Sequence, residues 1–155
     1  MNPTKARILA DLEECLQNYD AADSASVFDL LSLTNQAARL TAETVAKARA
    51  LLANADTSCV DEVDTEQALE CLSGALDPYT GHTEQVFDAL YDMDLIVSAL
   101  SEAGRESRAV EVVEAAVALA KKAAPYGQDL RNLAQCVVGR LGTTGGVAPV
   151  WVTFL

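Results

Sequence analysis

A chain of 155 residues can bury one sizeable core and is too short to argue for two domains. Half of its residues are hydrophobic but only 5% are aromatic, and Ala, Leu, Glu and Gln, all good helix formers, outweigh the aromatic and β-branched strand formers. The net charge of −12 disfavours nucleic acid and anionic membranes as partners, because both are held by clustered Lys and Arg.

In chain order, the first helix is expected to start near Pro3, a residue suited to the first helical position, and to run to about Tyr19. Ile8, Leu12, Cys15, Leu16 and Tyr19 fall on one stripe at three- and four-residue spacing. After "YDAADS", Asp23 or Ser24 caps a second helix with Val27, Leu30, Leu31 and Thr34 turned inward. A third, "AETVAKARALLANA", follows Thr41 and buries Val45, Ala48, Leu51 and Leu52. "NADTSCVDEVD" is polar enough to be a loop, and Asp64 or Thr65 caps a fourth helix, "TEQALECLSGAL". "DPYTGH" ends that helix with Pro and Gly.

His82 or Thr83 opens a fifth helix with Val86, Leu90, Met93, Val97 and Leu100 on its stripe. Gly104 in "EAGRES" is placed as a C-terminal cap. A sixth helix runs from about Glu106 to Ala123, with Ala109, Val112, Val113, Ala116, Val117 and Ala120 inward. A seventh, "QDLRNLAQCVVGRL", carries Leu130, Leu133, Ala134, Val137 and Leu141 on one side. The fold expected is all-α: a helical bundle or a short helical-hairpin array of six to eight helices. It occupies residues 1–141, followed by a Gly-rich linker and an extended apolar tail over 142–155.

Charge is distributed unevenly along these elements. Between Ala50 and Gly104 there are twelve acids and no Lys or Arg, whereas the flanks balance eleven acids with eleven bases. The middle third is an anionic block, and Asp61, Asp64, Glu66, Asp88 and Asp92 are its candidate recognition residues for a basic protein partner. A solvated face that keeps the protein soluble accounts for the same block.

Little in the sequence points to catalysis. The four cysteines, Cys15, Cys59, Cys71 and Cys136, form no CxxC pair, and His82 is the sole histidine, so a structural zinc site is not expected. Cys15, Cys71 and Cys136 read as small core side chains, and His82 as a solvated or capping residue. "DEVDTE" and "DALYDMD" are dense in carboxylates but lack the Gly turn of an EF-hand loop. No ExxH pair, phosphate loop or nucleophile elbow is present. The expectation is a non-enzyme without metal or cofactor. The N-terminus turns acidic before any apolar run develops and no stretch reaches membrane-span length, which favours the cytoplasm and reduced thiols.

The segment from Ile96 to Val117, "IVSALSEAGRESRAVEVVEAAV", resembles a tetratricopeptide-type helical hairpin. Ile96, Leu100, Gly104, Ala109, Val113 and Ala116 stand where that hairpin has its large, turn and small positions. The resemblance implies a protein-binding scaffold. Val97 replaces the glycine usual in the middle of the first helix of such a hairpin, and the echo at Ala68, Leu72 and Ala75 lies 41 residues upstream, longer than the usual repeat of about 34.

The tail, "GGVAPVWVTFL", holds the sole Trp. Val147, Val150, Val152 and Phe154 favour extended backbone, and Pro149 blocks a helix. Three uses compete. The tail folds back, with Trp151 and Phe154 filling a groove at roughly 1.5–3 kcal/mol each. Or it docks through Val150, Trp151 and Phe154 on another protein or on a second copy of this chain, giving a homo-oligomer. Or it is a substrate. A helical segment, Gly145-Gly146, then a short apolar peptide resembles the precursors of ribosomally made, modified peptides, among them the split borosins. That resemblance implies a core of Val147, Ala148, Val150, Trp151, Val152, Thr153, Phe154 and Leu155, N-methylated on the backbone by a partner enzyme.

Overall fold

A computed structural model describes residues 3–38, 40–79, 83–128, 131 and 132. It contains six α-helices: α1 (Pro3–Gln17), α2 (Ser24–Ala37), α3 (Ala42–Leu52), α4 (Thr65–Ala75), α5 (Thr83–Glu102) and α6 (Glu106–Ala123). Short 3₁₀ turns at Ser58–Glu62 and Ala124–Tyr126 complete the regular structure, and no strand occurs among the described residues. The protein is an all-α helical bundle. Of the expected seventh helix only residues 128, 131 and 132 are described, and they are helical.

The helix boundaries follow local chemistry. Asp23 accepts a hydrogen bond from the Ala25 backbone N–H and opens α2, and Asp64 accepts one from Gln67 to open α4. Thr41 starts α3 without a side-chain cap bond. At the end of α5, Gly104 has φ +83°, the left-handed conformation that glycine adopts without a Cβ clash. Its N–H reaches the Ser101 carbonyl at 3.2 Å and the Arg105 N–H reaches that of Leu100 at 2.8 Å. This paired pattern satisfies two otherwise orphaned carbonyls and folds α6 back as a hairpin.

The helices assemble as two triplets. In each, the middle helix (α2 or α5) packs against its two neighbours, and the outer helices also touch. The triplets join through α2 against α5, the most extensive helix pair in the molecule. These two helices run parallel: Ser32 Oγ donates to the Leu95 carbonyl at 2.7 Å, and further along Asn35 Nδ2 donates to Glu102 at 3.1 Å. Leu30, Leu31, Leu90, Met93 and Leu100 are fully buried around the seam, with Leu12 and Leu72 contributed by α1 and α4.

Three expectations fail locally. Cys71, read as a small core side chain, is exposed on α4, and its thiol faces outside the packed core. Leu51 is 44% exposed rather than inward, because α3 is short and its contact face is the narrower line Val45–Ala48–Leu52. The polar segment before α4 is no passive loop. Its Val60 is fully buried, and the Arg108 guanidinium donates to the Val60 and Val63 carbonyls at 3.0 and 2.9 Å.

Candidate functional site

Two regions between α2 and α5 are built from polar side chains, and they are built differently. The first is a cleft of about 750 Å³ at the C-terminal ends of α2, α3 and α5. At its centre the Glu102 carboxylate, 8% exposed, accepts Arg49 Nε at 2.7 Å, Arg49 Nη2 at 3.3 Å and Asn35 Nδ2 at 3.1 Å. The hydrogen bond to Glu102 raises the Arg49 pKa above the usual guanidinium value. Asn35 Oδ1 and Ser101 Oγ, on residues lining the same cleft, are buried without a protein partner. Glu102 belongs to α5 and Arg49 to α3, so this cleft is a tie between the two triplets.

The second region is acidic. A cleft of about 420 Å³ between α1, α2 and α5 is lined by Asp11, Glu14, Asp23 and Asp29, with Cys15, Tyr91 and Leu95. Beyond Leu95 lies a groove of about 300 Å³ between α2, α4 and α5. Phe28, Ala68, Cys71, Ala89 and Ile96 form its apolar surface, and Asp64 and Asp92 stand on it. Leu95 lines both spaces, so they adjoin. No Lys or Arg lines either of them. Among the walls, α2, α4 and α5 contain no Lys or Arg anywhere along their length, and α1 carries its bases, Lys5 and Arg7, ahead of the cleft-lining Asp11.

Burial and neighbouring acids act together on the titratable groups of the acidic cleft. Burial, reinforced by Asp23, pushes the Asp29 carboxyl above its ordinary pKa. Burial, with Asp29 and Glu14 behind it, raises the Cys15 thiol, which disfavours the reactive thiolate. A basic contact stands at the edge of this end: the Arg7 guanidinium carbon lies 5.9 Å from the Tyr91 ring centroid and its Nε 3.8 Å from Asp11. No group of three or more metal-ligating side chains is assembled among the described residues.

The five carboxylates singled out in the sequence are separated by the fold. Asp64 and Asp92 come together on the apolar groove. Asp64 uses Oδ1 as the helix cap, accepting the Gln67 N–H at 2.9 Å. Asp88 is exposed one turn before Asp92 on α5, and Glu66 is exposed in the first turn of α4. Asp61 is engaged elsewhere, in a two-pronged pair with Arg105 at 3.1 and 3.0 Å that holds its carboxyl below the usual range. Asp11, Glu14, Asp23 and Asp29 were not anticipated as a group, because they lie in a second, shorter base-free stretch between Arg7 and Arg39 and only the packing of α1 on α2 brings them together. His82, Cys136 and the tail residues Val147, Ala148, Val150, Trp151, Val152, Thr153, Phe154 and Leu155 lie outside the described residues.

The α5–α6 hairpin places Leu100, Ala109, Val113 and Ala116 in the core and leaves Ile96 half-buried at the groove. No described helix is long and apolar enough to cross a membrane. No family model, no curated protein and no solved structure matches this chain.

Proposed function

We propose that this protein is a non-catalytic, cytoplasmic protein–protein interaction domain that offers an acidic helical face to a basic partner. One observation carries the reading. Helices α2, α4 and α5 carry no cation, and the two adjoining spaces they line, one of them shared with α1, hold six carboxylates and no Lys or Arg. A surface of one sign speeds encounter with the opposite sign and rejects like-charged partners. The α5–α6 hairpin resembles tetratricopeptide units, and its α5 helix lines both spaces.

The test is capture of partners from the native host on the immobilised full chain, eluted by a salt gradient. Partners rich in Lys and Arg should leave at moderate salt, and neutralising Asp88 and Asp92 to Asn should slow their association more than it speeds release. Capture that is indifferent to salt and to these substitutions would return the carboxylates to a solvating role.

A second reading is favoured by Gly145-Gly146 and the uncharged apolar peptide after it. Here the helical domain is the recognition leader of a modified-peptide precursor, and its partner is the modifying enzyme. The mass of the protein purified from its host separates the two: added methyl groups on residues 147–155, or cleavage after Gly146, belong to the precursor alone.

A further inference from the structure

We infer that the groove between α2, α4 and α5 is the docking site for a cationic amphipathic segment of the partner, an apolar anchor with Lys or Arg on either side. The inference rests on the interaction-domain reading above and gives it an address. Most of the acidic face is polar, and charge by itself would attract a basic partner without orienting it. The groove differs because its surface is dominated by carbon: Phe28 from α2, Ala68 from α4 and Ile96 from α5 converge there, each half-buried and none covered. Small Ala68 and Ala89 leave room for side chains to enter between the helices. Asp64 and Asp92 stand on different helices at this apolar patch, so an inserted anchor places its flanking cations beside both.

Charge complementarity selects this occupant over the chain's own C-terminus. Residues 147–155 are uncharged, and residues 133–155 contain a single base, Arg140. That segment can supply apolar groups but cannot neutralise two carboxylates. A second copy of the chain is also a poor occupant, since a net charge of −12 on each copy opposes association of acidic faces.

Cys71 makes the groove directly observable, because its exposed thiol lines it. The probe is a fluorescent Lys/Leu peptide with Leu at three- and four-residue spacing, against a Glu/Leu peptide of the same pattern, binding the full chain. The Lys/Leu peptide should bind in a salt-sensitive manner and slow alkylation of Cys71, followed by peptide mass mapping, by about tenfold or more at saturation. The double variant Asp64→Asn, Asp92→Asn should weaken binding by about tenfold, ~1.4 kcal/mol. Asn retains the capping ability of residue 64, so α4 is preserved. Ala68→Lys should weaken binding at least as much, by placing a cation in the groove.

The control is Glu111→Gln with Glu114→Gln, an equal charge change on the exposed side of α6. Equal weakening by this control, or binding that leaves Cys71 unprotected, overturns the groove while leaving an acidic recognition face intact. Absence of salt-sensitive binding by the Lys/Leu peptide overturns the groove and the acidic-face reading together. Faster Cys71 alkylation after deletion of residues 147–155, with the full chain unable to bind the peptide, assigns the groove to the chain's own tail and also overturns the inference.

Discussion

The two regions between α2 and α5 use carboxylates for opposite ends. In the Glu102 cleft the acid is nearly buried and meets a guanidinium and an amide. In the acidic cleft and groove, the carboxylates stand near the surface, no Lys or Arg lines either space, and the Arg7–Asp11 pair at the edge is long, at 3.8 Å. A buried acid must be paired because desolvation of a lone charge is costly. An exposed acid need not be paired, and leaving it so keeps its field available to a partner. Thus acids that are indistinguishable in the sequence divide into those that hold the fold together and those left facing outward.

The contrast can be broken in three steps, from the largest effect to the smallest. Leu31→Ala removes a fully buried side chain from the seam that both regions share. It should cost about 2–5 kcal/mol in denaturant unfolding, the range for a buried Leu whose site cannot collapse. A much smaller loss would mean that the triplets are not held chiefly by this seam. Glu102→Ala strikes the tie between them. With Arg49 half-exposed and free to find water, the loss should be about 1–3 kcal/mol, chiefly from the stranded Asn35 donor. If Arg49→Ala in the Glu102→Ala background costs nothing further, the two residues act as one unit.

The smallest step sharpens the other side. The folded-state pKa of Asp29 is raised, so its contribution to stability is full below the unfolded pKa and is lost as pH rises through the folded value. At neutral pH its charge opposes folding. Asp29→Asn should therefore stabilise the protein there by about a few tenths of a kcal/mol, given how well solvent screens a partly exposed group. The gain should vanish in acid, once Asp29 itself is protonated. A gain of the same size at both ends of the titration would show that burial of the Asp29 charge, with Asp23 beside it, is not its cause.

Much of this was legible in the chain. The caps at Asp23, Asp64 and Gly104 act where the spacing put them, because each needs only a neighbouring backbone group. The inward residues of α2, α5 and α6 were readable from period 3.6, since each of these helices has one broad buried side. Leu51 was misplaced because period alone does not say how wide a neighbour's contact will be. Val60 was missed because burial inside a polar segment depends on α2 and α5, which pack against the turn and are distant in sequence.

The candidate site divides along the same line. Composition by itself determined that the middle of the chain is anionic and that its helices carry no cation to neutralise themselves, because charge belongs to the residue wherever it lies. Only tertiary structure decided which acids are spent. Asp61 meets Arg105 across 44 residues and Glu102 meets Arg49 across 53, while Asp64 and Asp92 arrive together on an apolar groove. An ion pair acts over a few ångströms of space and takes no account of sequence distance, so pairing is settled by which helices pack, and here by the parallel union of α2 and α5.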